Sequence, residues 1–259
     1  MQTALWKNFQ VEWTEDSSPT LRLNGAHPTD QTKSAESMHH SGGAATETLY
    51  IYGEAISWVL KTFPEKQLHI CSVGLGLGYN EILTAILLMD NSAKTAKLDS
   101  FEIDTELKES FSHWVFESDL QNSNQTAKNI IYDQIVEKLT KSLYLNIKLS
   151  EIKKYLQMQF HSGSWRLNGE LNLDKIPEFT NYHLCLFDAF SQKTTHELWN
   201  DHFLNRFIQK SFNKTHSMLA TYACTGVLTR ALKNNGFSVI KKPGFQGKRD
   251  STWAERNKA

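Results

Sequence analysis

The residues with chemistry to offer stand just past apolar runs. "SVGLGLGYN", residues 72–80, places Gly74, Gly76 and Gly78 directly after "LHICSV". Glycines in a turn leaving a buried strand permit positive φ and let a ligand press against bare backbone. The dinucleotide fingerprint GxGxxG asks for glycine at positions 1, 3 and 6. Counted from Gly74, position 6 is Tyr79 and the third glycine, Gly78, stands at position 5. A tight turn with no ligand is the plain alternative. Further on, "LDSFEID" carries Glu102, 24 residues after Gly78. A carboxylate at such a strand tip accepts hydrogen bonds from both hydroxyls of a ribose. Asp104 competes for that role, although its position suits helix capping better. A nicotinamide cofactor would use such an acid equally well, so Glu102 speaks for an adenosine without choosing among cofactors. Asp188, in "LCLFDAFSQ", also ends a buried run. It could cap a helix, or it could orient an amine and take its proton while a group is transferred to nitrogen. A free alkyl amine has a pKa of about 10. Most acceleration would therefore come from placement at roughly 3 Å, not from strong base catalysis.

Elements must bring these groups to one edge. Strand-like and helical segments alternate: "LHICSV" and "YNEILTAILLM", "AKLDSFEID" and "TELKESFSHWVF", "YHLCLFDAF" and "THELWNDHFLNRFIQKSF", then "HSMLATYA" and "TGVLTRALKNNGF", which Gly236 stops. That alternation predicts an α/β fold with a parallel sheet covered on both faces and ligands beyond the carboxyl ends of its strands. "FSVIKKPGFQGKRDSTWAE" reads instead as two strand arms around turn residues, a terminal antiparallel hairpin. Residues 1–35 read as a small N-terminal β appendage, with breaks at Ser17-Ser18-Pro19 and Asn24-Gly25, and 36–259 as the main domain. Within it, about 120–160 is Asn/Gln/Lys-rich and helical, an insertion whose role the sequence does not disclose. Leu49, Tyr52, Ile56, Val59 and Leu60 follow a helical period ahead of the glycines.

With 259 residues, 40% of them apolar, the chain can bury a large core. Its 28 basic and 28 acidic side chains balance, which argues against a general nucleic-acid coating protein. The balance hides an asymmetry: residues 230–259 hold eight Lys/Arg and two Asp/Glu. Lys241, Lys242, Lys248 and Arg249 surround Phe245, with Trp253 nearby. Cations beside aromatics can follow phosphates and stack an unpaired base. A lysine-rich edge hairpin that deters aggregation is the other reading. Cys71, Cys185 and Cys224 stand singly in apolar stretches and are expected buried and reduced. His39, His40, His196 and His202 are expected to be surface or helix-end residues. His196 and His202, six apart, do not meet as the histidines of HExxH would, and no metal is expected. "MQTALWKNFQ" is too polar for a signal peptide and no apolar run reaches membrane-spanning length, so a cytoplasmic location is expected.

The GxGxG spacing resembles the first motif of S-adenosylmethionine-dependent methyltransferases. The "EID" ending resembles their second, with the glutamate on the ribose, and the strand, helix and terminal hairpin resemble the close of their seven-stranded, Rossmann-like class I sheet. "MHHSGGAATETLYIYG", "FDAFSQKTTHELWNDHFL" and "LATYACTGVLTRALKNNGFSVIKKPGFQGKRD" narrow this, in that order, to a resemblance with the methyltransferase part of the MnmC family of tRNA wobble-uridine modification enzymes. Matching positions are Glu47; Gly74, Gly76, Gly78 and Asn80; Asp188, Phe190 and Trp199; then Thr221, Gly226, Leu232, Gly236, Phe237, Gly244, Phe245, Lys248 and Arg249. The resemblance covers about 36–116 and 163–250. The family's proline after the acid motif is missing, with Gln192-Lys193 in its place, and no second dinucleotide fingerprint marks an oxidase half. "RLNGELNLDKIPEF" loosely resembles a segment that would put Gly169 and Glu170 near the adenine. The resemblance implies S-adenosyl-L-methionine held by Glu47, the three glycines, Glu102, Gly169, Glu170 and Asp188. It implies Asp188 as the catalytic acid beside the amine, and Lys248, Arg249 and Phe245 on the anticodon loop of a tRNA. The expected reaction is N-methylation of the aminomethyl group on uridine 34, with any oxidase step supplied by a partner. A same-fold transferase for a small amine, and a cofactor-binding protein without turnover, stand as alternatives.

Overall fold

The computed structural model describes residues 5–24, 36–116, 123–172, 181–247 and 250–257. The chain opens with an antiparallel hairpin, β1 (Phe9–Trp13) and β2 (Pro19–Leu23). A short helix α1 (Ala44–Thr48), a π-helical turn (Leu49–Gly53) and α2 (Glu54–Thr62) follow without a break. Next come β3 (Gln67–Val73), α3 (Tyr79–Asp90), β4 (Thr95–Phe101), α4 (Thr105–Phe116), α5 (Ser123–Ser142), α6 (Leu149–His161) and β5 (Trp165–Asn168). The remainder is β6 (Leu184–Phe187), α7 (Asp201–Ser211), β7 (His216–Thr221), α8 (Gly226–Asn234), β8 (Ser238–Lys242) and β9 (Ser251–Asn257).

Seven strands form one sheet in the order β5-β4-β3-β6-β7-β9-β8. The first five are parallel, and β9 runs antiparallel to both β7 and β8. The chain winds outward from β3 to β5, returns to lay β6 beside β3, and then winds the other way. That reversal is the switch point at which such sheets bind ligands. Side-chain alternation builds a core on each face. Leu68 and Ile70 of β3, with Leu184 and Leu186 of β6, enter one core; Cys71, Val73, Cys185 and Phe187 enter the other. The larger core holds the hairpin and α1 through α6, and the smaller holds α7 and α8. The doubly wound sheet and its antiparallel end agree with the alternation in the sequence.

Local chemistry sets the helix ends. Asn200 and Thr225 accept from the backbone N–H of Phe203 (2.8 Å) and Leu228 (3.2 Å), capping α7 and α8. Gly236, at φ +79°, ends α8. The N-terminal hairpin is joined to the main body: Trp6, Phe9 and Leu21 lie in the larger core, and the Tyr79 hydroxyl donates to the Pro19 carbonyl at 2.7 Å. Helices α5 and α6 pack over α3 and α4. There Trp114 stacks on Tyr132 with centroids 5.2 Å apart, and its indole N–H donates to Asp133 at 2.8 Å. All three cysteines are free thiols. Cys71 and Cys185 are buried, whereas Cys224, in the connection leaving β7, is only partly so. No described helix is long and apolar enough to cross a membrane.

Candidate active site

The glycine turn lies between the two acids because the sheet puts it there. β3 is flanked by β4 and β6, so the residues after each strand meet at one edge. The Gly74 N–H donates to the Phe101 carbonyl (2.9 Å) on one side, and the Asp188 N–H donates to the Val73 carbonyl (2.9 Å) on the other. Gly74, Gly76 and Gly78 all have positive φ: 87°, 51° and 71°. A Cβ on Gly74 would stand 2.5 Å from the Asp188 carbonyl oxygen, and one on Gly78 would enter the Phe111 ring. These two glycines therefore serve backbone conformation and packing against protein, rather than clearing a path for the ligand. Gly76 is opposed by the Met38 sulfur, 3.0 Å from where its Cβ would be.

Glu102 follows β4. Its carboxylate accepts from the Gly76 N–H (3.1 Å) and the Asp104 N–H (2.9 Å), which ties the loop to the acid. An ionised carboxylate offers about four lone-pair sites, so two remain for ribose hydroxyls. Burial raises the Glu102 pKa, with the backbone N–H groups opposing. Asp104 caps α4, accepting from the Leu107 N–H at 3.0 Å, and it too lines the cavity beside Glu102.

Asp188 follows β6, is partly buried and lines the cavity. Its Oδ1 accepts from the Tyr52 hydroxyl (2.7 Å) and its Oδ2 from the Asn80 amide (3.2 Å). Burial, then the Glu47 and Glu81 charges, push its pKa to about 7, against the Tyr52 and Asn80 hydrogen bonds. Glu81, in the first turn of α3, accepts from the Ser100 hydroxyl (2.7 Å) and is likewise driven to about 7 by burial. The Glu47 carboxylate accepts from the His40 N–H at 2.6 Å.

Glu47, Gly74, Gly76, Glu102 and Asp188 line a cavity of about 840 Å³, while Gly78 and Glu81 lie outside its wall, and the volume is within the range of small-molecule sites. Its walls include Glu36, Glu47, Glu102, Asp104, Glu170 and Asp188, and among the described residues they contain no Lys or Arg. A negative, partly enclosed wall favours cations. Hairpin residues Asn8, Phe9, Leu23 and Asn24 contribute to it. Glu170 is part of the wall; Gly169 lies outside it, where its Cβ would be 3.8 Å from the Lys108 ammonium. Of the histidines taken as surface residues, His39 and His196 line the cavity, and His39 meets the Tyr79 ring at 4.8 Å. Both come close because the hairpin and the segment after β6 fold over the sheet edge.

Phe245 sits away from the cavity wall, against His40 (5.7 Å) and Tyr50 (6.1 Å). Lys242 does not turn outward as the composition suggests: its ammonium lies 3.9 Å over the Trp253 ring and pairs with Glu54. Lys248 and Arg249 lie outside the described residues.

Tyr52, Glu36 and Tyr222 have no assigned role in the sequence reading. Tyr52 passes for a core position of an amphipathic helix; the signal available was that a buried phenol needs a partner. Glu36 accepts from the Ser191 N–H (3.1 Å), the Ser191 hydroxyl (3.0 Å) and the Thr194 hydroxyl (2.6 Å). The Tyr222 hydroxyl donates to the Ala189 carbonyl (2.9 Å), and the Trp199 indole N–H to the Phe190 carbonyl (2.7 Å). Together they hold the segment after Asp188.

Residues 130–257 match the model of a family described as S-adenosyl-L-methionine-dependent methyltransferase. Fold and family description agree on a class I S-adenosyl-L-methionine-dependent methyltransferase, the family match spanning just under half of the chain. Within that class it is MnmC-like. It is 25% identical over 218 residues to the tRNA 5-methylaminomethyl-2-thiouridine biosynthesis bifunctional protein MnmC of Campylobacter hominis, covering 79% of this chain and 27% of that protein. The protein of the same name from Legionella pneumophila (strain Philadelphia 1) is 24% identical over 264 residues, 96% of this chain and 36% of its own length. The chain thus spans about a quarter to a third of these relatives. MNMC2 from Aquifex aeolicus shares the fold, with a TM-score of 0.62 at 22% identity over 95% of this chain and 70% of that one.

Proposed function

We propose that the chain methylates the aminomethyl nitrogen on wobble uridine 34 of tRNA, giving 5-methylaminomethyl-(2-thio)uridine, and does so in the cytoplasm. The observation that carries this is Asp188, set at the switch point between the glycine turn and an acid-walled cavity. The names of the relatives supply the substrate. The walls fit the cofactor: Glu102 keeps free lone pairs beside the glycine turn, Gly74 and Gly76 line the cavity, and its acidic wall favours cations.

S-adenosyl-L-methionine supplies a methyl group on a positively charged sulfur. Gly74, Gly76, Gly78, Glu47, Glu102 and Glu170 would hold it. Asp188 would accept a hydrogen bond from the amine N–H, aim the nitrogen lone pair, and take the proton that nitrogen sheds as it gains the methyl. An acid near pKa 7 is a mild acceptor at neutral pH. The larger gain is therefore placement, for which effective molarities of about 10⁵–10⁸ M are known. An acidic wall repels phosphates, so only the modified base would enter while the backbone stays outside. Phe245, Lys248 and Arg249 are proposed to meet it there. An oxidative step would have to deliver the free aminomethyl group.

The test is transfer of labelled methyl into bulk tRNA from cells lacking this protein, with nucleosides identified by mass. Label in a 5-aminomethyl-derived uridine is the expected result, with Asp188→Asn lowering the rate by about 10²-fold or more. No label despite cofactor binding would overturn the tRNA reading. The described wall, with acids and no Lys or Arg among the described residues, would then favour a small cationic amine as acceptor.

A further inference from the structure

We propose that Tyr52 is a positioning residue for the transfer, its phenol holding the Asp188 carboxylate in one orientation so that a lone pair faces the accepting amine. This rests on the reading of Asp188 given above. The contact is direct: the hydroxyl donates to Oδ1 at 2.7 Å, and the Asn80 amide donates to Oδ2 at 3.2 Å. Each carboxylate oxygen is thus fixed by one donor and keeps a lone pair for a ligand. A carboxyl group turns freely about its last bond unless both oxygens are tethered, and both are tethered here.

Three tyrosines line the described cavity wall, and they are used differently. Tyr79 and Tyr222 donate to the backbone carbonyls of Pro19 and Ala189, which hold the hairpin and the segment after β6. Tyr52, only 2% exposed, spends its hydroxyl on Asp188. Were its role packing alone, phenylalanine would serve without the cost of burying a hydroxyl. The local backbone tells the same way. Tyr52 lies in the π-helical turn Leu49–Gly53, between the α-helical turns of α1 and α2. A π turn sacrifices regular hydrogen bonding and inserts a residue into the helical phase, and such turns concentrate at functional sites. Here it delivers the phenol to the end of β6.

Electrostatics explains why a donor is needed. Asp188 faces Glu47 from α1, Tyr52 from the π turn, Asn80 and Glu81 from α3, and Tyr222 after β7. Burial and the two glutamates favour its protonated form, and a protonated carboxyl cannot take a proton from the amine. Tyr52 and Asn80 favour the ionised form. Losing the phenol should raise the Asp188 pKa as well as loosen the group.

The experiment uses the full chain with Tyr52→Phe. We expect unchanged affinity for S-adenosyl-L-methionine, kcat for tRNA lowered by about tenfold to a hundredfold, and the acid limb of the pH–rate profile moved up by roughly one pH unit. The Asp188 carboxyl, followed without substrate by isotope-edited infrared difference against Asp188→Asn, should titrate higher in Tyr52→Phe. A fluorinated tyrosine placed at 52, a stronger donor of nearly the same shape, should move both down, and it serves if the phenylalanine variant fails to fold. A fall in kcat with the acid limb and carboxyl titration unmoved would make Tyr52 structural and overturn the proposal. If the wild-type chain methylates no tRNA, the functional reading fails, while the carboxyl titration still decides the Tyr52–Asp188 link.

Discussion

Gly74 answers two demands at one atom. Its backbone lies at φ +87°, and its missing Cβ leaves room for the Asp188 carbonyl, which would otherwise stand 2.5 Å away. A left-handed non-glycine residue costs about 1–3 kcal/mol from the backbone alone, and neither the Asp188 carbonyl nor Gly74 can retreat without breaking the strand register. Gly74→Ala should therefore destabilise the fold by at least that amount and weaken cofactor binding, as read by thermal melting and calorimetry. Gly76→Ala should be milder, because its new Cβ would meet the flexible Met38 side chain at 3.0 Å. Equal penalties at the two sites would show that the clash with Asp188 is not what selects glycine at 74. The spacing GxGxG was legible from the sequence. Which glycine opposes Asp188 was not, because β6 lies more than a hundred residues away along the chain.

At the scale of elements, the segment after β6 is held from outside. Glu36 takes three hydrogen bonds from Ser191 and Thr194, while Trp199 and Tyr222 pin the carbonyls of Phe190 and Ala189. The related motif has a proline here, whose fixed φ stiffens the chain. This chain has Gln192-Lys193 and gains the stiffness from a distant carboxylate. Glu36→Ala should speed amide exchange at residues 190–194 and raise the acceptor KM, with little change in melting temperature. Unchanged exchange would mean that Trp199 and Tyr222 suffice. The helical character of residues 120–160 was plain in the sequence, but its placement was not. α5 and α6 pack on α3 and α4, and α4 carries the Phe111 ring that sits against Gly78. The crossover from β4 to β5 thereby buttresses the glycine turn.

For the whole molecule, the buried acids set the pH response. Asp188 and Glu81 are raised to about 7 by burial. Their unfolded forms ionise near 4, so between about pH 4 and 7 the folded chain binds more protons and stability falls as pH rises. His183, lowered mainly by burial, acts the other way below its unfolded value of 6.5. Glu65 and Glu106 sit below their ordinary value because hydrogen bonds outweigh burial, so their contribution is lost at still lower pH. Two strongly raised acids against one histidine predict that the cofactor-free protein melts higher near pH 5 than near pH 8. Asp188→Asn should shrink that difference, and an Asp188→Asn protein with the wild-type pH dependence would refute the assignment. Cofactor binding should also narrow it, since a bound cation favours the ionised acids.

The sequence by itself determined the α/β order, the antiparallel ending, the glycine turn and the two strand-end acids, because each depends on neighbours within a few residues and on the periods of strand and helix. Only the tertiary structure decided that Tyr52 and Asn80 hold Asp188, that Glu36 clamps the segment after β6, that Lys242 is spent on Trp253 and Glu54, and that acids alone supply the formal charge of the described cavity wall. The physical reason is that these contacts join segments as much as 188 residues apart, as Glu54 and Lys242 are. Their energies come from shared burial and opposed charge, quantities that exist only once the sheet has brought the segments to one edge.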